Sequence, residues 1–167
     1  MAREEDTRKS PEELEQLAWE IADDMRVAIL FTADGDRQHA RPMSATVCRD
    51  ERAIYFLTAV DSEKVTATEH NENVTVFFGE NGSNKFVSFS GIASVSNDRE
   101  RIREIFTPFA KAWWESADDP SIRLLTVCPT GAEIWDGPNK LVASALMLGA
   151  AVSGAKPKIG EHAKLRM

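Results

Sequence analysis

No apolar run in this chain approaches the length of about eighteen residues that a membrane-spanning helix requires, so no membrane span is expected. Basic charge is also in deficit. Twenty Lys and Arg face 27 Asp and Glu, for a formal net charge of −7, and no basic tail offsets it. Non-specific nucleic-acid binding depends on neutralising phosphates and is therefore disfavoured. Cysteine is scarce. Cys48 and Cys128 lie far apart, each at the end of an apolar run, and read as two free, buried thiols rather than a disulfide. The three histidines, His39, His70 and His162, have no metal-ligand spacing such as His-x-x-x-His, so no metal site is expected. Gly-x-Ser-x-Gly, Walker and Gly-x-Gly-x-x-Gly motifs are all missing, which removes support for acyl transfer, P-loop and Rossmann chemistry. The first nine residues mix both charge signs without the apolar centre of a secretory signal, so a cytoplasmic location is expected.

What remains is an ordinary globular composition, 43% hydrophobic and 28% charged, in 167 residues. That length is enough for one domain with a proper core, and neither a repeat nor a linker divides it. Ser10-Pro11-Glu12-Glu13 carries a capping box with proline at the first helical position, and predicts a helix over about residues 10–25. Leu14, Leu17, Ile21 and Met25 form its apolar stripe. Strands are predicted over residues 27–32, 38–47, 53–58, 74–78 and 86–95. Asp34-Gly35 supplies a hairpin turn. Pro42 marks an edge, a bulge or a bend, and Gly91 a sharp bend or a close backbone approach. A short helix is predicted from Ser62, its N-cap, to about His70, and another begins at Asp98. A helical piece follows with Ala110, Trp113 and Trp114. Pro129-Thr130-Gly131 reads as a turn between strands 122–127 and 132–135. Residues 141–152 form a last helix, and the chain from Ser153 onward reads as a loose tail. The expectation is a mainly β (α+β) fold, an antiparallel split barrel of about six to seven strands with flanking helices. The barrel would span about residues 26–137, with the last helix and tail over 138–167.

The residues best equipped for chemistry lie between positions 41 and 64. Arg41 on one strand, Thr58 at the end of the next, and Ser62 and Lys64 in the first turn of a helix can converge if the strands are neighbours. Charge-assisted donors around a helix N-terminus are what a phosphate needs. Residue types alone read more simply as a cap at Ser62 and solvated surface charges at Arg41 and Lys64.

Arg41-Pro42-Met43 after the Asp34-Gly35 hairpin, Phe56-Leu57-Thr58, Asp61-Ser62-Glu63-Lys64, Ala112-Trp113, Glu133-Ile134-Trp135-Asp136 and Gly160-Glu161-His162 carry a further resemblance. In order and spacing the chain resembles the pyridoxamine 5′-phosphate oxidase-like flavoproteins of split-barrel fold, in particular their bacterial general stress protein branch. The resemblance covers roughly residues 14–165. It implies a homodimer that binds FMN at the subunit interface, with FAD or a deazaflavin as alternatives. It assigns the phosphate to Arg41, Ser62 and Lys64 with Thr58 nearby. Backbone around Pro42, Met43, Phe56 and Leu57 would face the ring and ribityl chain, and Trp113 would come from the partner. The resemblance does not extend to the oxidation of pyridoxamine phosphate itself. Glu63 stands where the true oxidases carry a basic residue, and the C-terminus lacks their Arg-x-His arrangement.

Two functions follow from this reading. One is an FMN-dependent oxidoreductase that meets a small-molecule electron donor or acceptor, with the chemistry carried by the flavin. The other is a non-catalytic protein that stores or senses flavin. A haem-binding variant would need an axial ligand, for which His39 is the candidate.

Overall fold

The computed structural model describes residues 9–80, 82–138, 140–154, 156 and 160–167. Helix α1, Pro11–Asp23, starts as its sequence predicts. The Glu13 amide donates to Ser10 Oγ at 3.2 Å, and the Ser10 amide donates to Glu13 Oε2 at 2.7 Å. Strands β1 (Val27–Asp34) and β2 (Arg37–Ser44) form the predicted hairpin, turning at Gly35 with φ +57°. The single strand expected over 38–47 is broken at Ala45, whose amide bonds the Arg26 carbonyl at 3.0 Å. Its remainder is a separate β3, Thr46–Cys48, which pairs with β4, Ala53–Ala59. Helix α2 is Glu63–His70. It is followed by β5 (Asn73–Glu80), β6 (Lys85–Ser96), α3 (Arg99–Ile105) and a single 3-10 turn at Ala110–Ala112.

Two expectations fail beyond this point. Residues 122–136 form one strand, β7 (Ile122–Asp136), not two strands and a turn. Pro129 lies opposite Gly91 where the β6–β7 register shifts, so its missing N–H falls at a bulge. After α4 (Lys140–Ser153), the expected loose tail includes strand β8, Glu161–Arg166, paired antiparallel with β7. Its alternation is visible in the sequence, with Ala163, Leu165 and Met167 between charged or polar residues.

The eight strands run in the order β2-β1-β5-β6-β7-β4-β3, with β8 also on β7. The first half of β7 pairs with β4 and the second with β8, while β6 follows it along the other edge. Gly91 permits the bend between these halves. A Cβ there would lie 2.8 Å from the Cys128 carbonyl oxygen and 2.9 Å from Val127 Cγ1. The sheet curls into a half-barrel with four flanking helices, a mainly β split barrel. Curling brings β2 to β4 without pairing them, and α1 plugs the concave side.

The core fills that concave side. Leu30, Phe56, Phe78, Phe89 and Ile134 are fully buried with Trp19 of α1, whose ring lies 5.0 Å from Phe89. Each such side chain contributes about 1.5–3 kcal/mol by leaving water. A second cluster, Ala53, Tyr55, Ile102, Ile122 and Leu124, seats α3 against the convex side of β4 and β7. A cross-link of Glu51, Tyr55 and Arg101 reinforces it, with the Arg101 guanidinium 5.1 Å from the Tyr55 ring centre and bonded to Glu51. Burial and the Glu51 carboxylate push the Tyr55 phenol up to about 12.

The cysteines are unpaired, as expected, but they are not buried: Cys48 is half-buried and Cys128 exposed. Cys128 sits on β7 directly beside the bulge, where the alternation of the strand turns it outward. Among the described residues no helix is long and apolar enough to cross a membrane.

Candidate functional site

The hairpin places Arg41 opposite Leu30 and diagonal to Thr32, whose own partner is His39. Thr32 is buried, and its Oγ1 accepts from Arg41 Nη1 at 3.1 Å. Arg41 Nη2 donates to Glu63 Oε2 at 2.8 Å across the gap to α2. The arginine side chain is only 21% exposed, whereas the glutamate is 82% exposed. The buried end of Arg41 is therefore fixed. Its ion pair with a solvated carboxylate is weak, typically about 0–1 kcal/mol, and readily exchanged.

Thr58 closes β4 with its hydroxyl buried. Thr58 Oγ1 and Ser62 Oγ are 2.9 Å apart and share a hydrogen bond. The turn between them is held by the Ser62 amide on the Ala59 carbonyl and the Val60 amide on the Ser121 carbonyl. Ser62 occupies the N-cap position as predicted, but it does not cap. Its hydroxyl turns to Thr58, and among the described residues no side chain bonds the free N–H groups of α2. The positive end of this helix is left open.

Lys64 follows in the first turn and is half-buried. Among the described residues no hydrogen bond or ion pair satisfies its ammonium. Burial pushes its pKa below the usual lysine value of 10.5, the nearby Arg41 charge pushes it further the same way, and Glu63 opposes. A half-buried cation repelled by a second cation, beside two hydroxyls and an uncapped helix start, is a site short of one anion. A phosphate matches the donor set in charge and number of acceptor oxygens.

Other predicted residues are placed differently. Phe56 is a core side chain and Leu57 packs in the second cluster, so neither offers its side chain here. Their stretch of β4 is paired with β7 on one edge and is open on the other, because β3 pairs with β4 only as far as Tyr55. Pro42 is exposed on edge strand β2, opposite Ile29, and Met43 packs against the core. Trp113 lies after the 3-10 turn beyond α3 and is 80% exposed. Among the described residues of the single chain no contact joins it to Arg41 or Lys64. His162 stacks on Trp135 at 5.1 Å and faces Glu133 on the β7–β8 pair, and His39 is half-buried on β2. No group of three or more His, Cys, Asp or Glu among the described residues could hold a metal ion.

Thr32 and the Arg41–Glu63 bridge are the parts that sequence reasoning missed. Counting back from the Asp34-Gly35 turn gives the Thr32–His39 pairing, and with it a hydroxyl diagonal to Arg41.

The family described as pyridoxamine 5′-phosphate oxidase like matches this sequence over residues 12–158. The chain belongs to that family. Among proteins similar to this pyridoxamine 5′-phosphate oxidase-like chain is general stress protein 26 of Bacillus subtilis strain 168. It is 25% identical over 132 residues, spanning 77% of this chain and 93% of the relative. A solved structure described as a general stress protein 26 from Jannaschia sp. CCS1 covers 95% of this chain and 100% of its own, with a TM-score of 0.77 at 23% identity. At that identity the likeness establishes the shared fold. A general stress FMN/FAD binding protein from Xanthomonas citri is 26% identical, with a TM-score of 0.66 over 75% of this chain and 89% of its own.

Proposed function

We propose that this chain is a cytoplasmic flavoprotein that grips a flavin through its ribityl phosphate and serves as an oxidoreductase of a still unassigned substrate. The observation that carries the reading is Lys64, a half-buried ammonium without an acceptor, next to Arg41 and the Thr58–Ser62 hydroxyl pair. Arg41, Ser62 and Lys64, with Thr58, hold the phosphate of FMN. The open edge of β4 at Phe56 and Leu57, and the Pro42–Met43 stretch of β2, flank the rest of the molecule. The flavin similarity of the Xanthomonas citri relative supports the same ligand class. When bound, the flavin supplies hydride and electron transfer, which the protein's own side chains cannot.

The chain's part is to bind, orient and exclude water. Arg41 is held by its hydrogen bond to buried Thr32. Glu63 neutralises Arg41 until the phosphate takes its place. A second copy of the chain completes the site, with Trp113 offered from it. Oxidation of pyridoxamine phosphate is not part of the proposal, because Glu63 puts a carboxylate beside the phosphate site. Glu63 is also, among the described residues, the one carboxylate bonded into this cluster, and it is tied to Arg41. The lack of a free general acid or base favours storage or sensing of flavin as the second reading. Steady-state turnover with NADH or NADPH and an acceptor separates the two.

The test is affinity for FMN against riboflavin. Arg41→Ala and Lys64→Ala each remove a charge-assisted contact, worth about 1.5–3 kcal/mol, so each weakens FMN roughly 10- to 150-fold. Riboflavin, which lacks the phosphate, is unaffected. Equal losses for both ligands would show that these residues do not read a phosphate.

A further inference from the structure

Helix α4 carries no charged residue after Lys140, and its large side chains face water. Leu146, Met147, Leu148 and Val152 are all exposed, Leu148 to 70% and Val152 to 91%. Leu146, Met147 and Leu148 are consecutive, so they span about 200° of the helix circumference. A helix that is apolar on every side is stable only when something covers it. The chain leaves the sheet after Asp136 and rejoins it at Glu161, the register partner of Asp136 on β8. The Gly137 amide bonds the Asn84 carbonyl at 3.1 Å beside that root. Helix α4 therefore stands on an arm that is tied to the sheet at both ends.

A groove of about 510 Å³ crosses the outer face of β1, β5, β6 and β7. Phe31, Phe77 and Trp135 form its apolar walls, with the small hydroxyl side chains Thr75, Ser88 and Ser90 between them. Among the described residues no charged side chain lines it. Phe31 lies opposite Thr75 and Ile29 opposite Phe77, so exposed Val27 and Ile29 continue the same face along β1. Trp135 comes one residue before Asp136, so the groove ends at the root of the α4 arm. One chain thus presents an uncharged helix and an uncharged groove side by side, and the groove's lining includes no residue of α4.

We infer that two copies exchange these arms, α4 of each lying in the outer-face groove of the other. Groove and arm adjoin at Trp135, so a single two-fold axis carries both contacts and every residue of the patch is used twice. The helix has 14 residues and is about 21 Å long, enough to cross the strands that form the groove. Both surfaces lack charge, as the core of a protein interface does. A lipid surface fits less well. An interfacial helix needs a polar, basic face, which α4 does not have, and a net charge of −7 repels anionic headgroups. The exchange requires no ligand and does not depend on the flavin reading.

Sedimentation velocity of the full chain at micromolar concentration tests the exchange. The unaltered chain is expected to sediment as a dimer. Leu148→Asp charges the arm and Phe31→Lys charges the groove. A symmetric pair counts each substitution twice, so each is expected to weaken the dimer at least about 100-fold. An equimolar mixture of the two variants is expected to restore it. The mixed pair keeps one unaltered contact, and in the other the two new charges are opposite in sign. Ile29→Lys takes the place of Phe31→Lys if that variant does not fold. Dissociation by the arm variant alone would mean that α4 pairs with α4, and dissociation by the groove variant alone that the sheets pair directly. Either result overturns the exchange, as does a mixture that stays monomeric. A monomeric unaltered chain overturns it too, and one that cosediments with phosphatidylcholine vesicles would assign α4 to a lipid surface instead.

Discussion

At the residue scale phosphate recognition turns on Lys64. Its ammonium is the form that holds a phosphate, and burial with the Arg41 charge lowers its pKa below 10.5. The extra affinity for FMN over riboflavin therefore falls as pH rises through that depressed value, earlier than an ordinary lysine would allow. At the acid end it falls again near pH ~6, where a phosphate monoester loses its second charge. Lys64→Arg keeps a charge throughout and removes the alkaline limb. Titrations of both flavins across pH check this, and an alkaline limb that survives in Lys64→Arg would refute the assignment. Residue types and spacing made Arg41, Thr58, Ser62 and Lys64 legible in the sequence. Thr32 and the Arg41–Glu63 bridge were not, because a diagonal contact across a hairpin depends on register.

At the element scale the site exists because Ser62 leaves α2 without a side-chain cap and β4 outruns β3, so that beyond Tyr55 it is paired on its β7 edge alone. The curl of the sheet bends at the β6–β7 bulge. Gly91→Ala would press a methyl group against the Cys128 carbonyl and Val127. It should lower the stability by about 1–3 kcal/mol, read as a drop in the denaturant midpoint. An unchanged midpoint would show that the backbone there can yield. The hairpin, the capped first helix and the bend at Gly91 were each readable locally, because a turn residue, a capping box or a missing Cβ announces them. β7 was not, because Pro129-Thr130-Gly131 carries turn chemistry that the β6 pairing overrides. β8 was passed over although its polar–apolar alternation is present. A short terminal strand has no turn signal of its own, and only β7 gives it a partner. Cys128 was misplaced for the same reason, since the outward face of a strand is fixed by its pairing.

At the scale of the whole molecule the convex side of β1 and β5 stays uncovered. Val27, Ile29 and Phe31 are exposed there, as is Trp113 beyond α3. Two copies that each carry a net charge of −7 repel one another at long range, so association has to come from such uncharged surface. The prediction is a dimer at micromolar concentration that persists in high salt, where charge repulsion is screened. Sedimentation velocity decides it. A monodisperse monomer that still binds flavin tightly would remove the second copy, and Trp113 with it, from the site.

The most direct measurement is the visible absorption spectrum of the purified protein, followed by release and identification of any chromophore. The expected result is a yellow protein that releases a phosphorylated flavin, or a colourless one that turns yellow stoichiometrically when such a flavin is added. A colourless protein that takes up neither FMN nor FAD would contradict it, and the cluster of Arg41, Ser62 and Lys64 would then have to serve another anion.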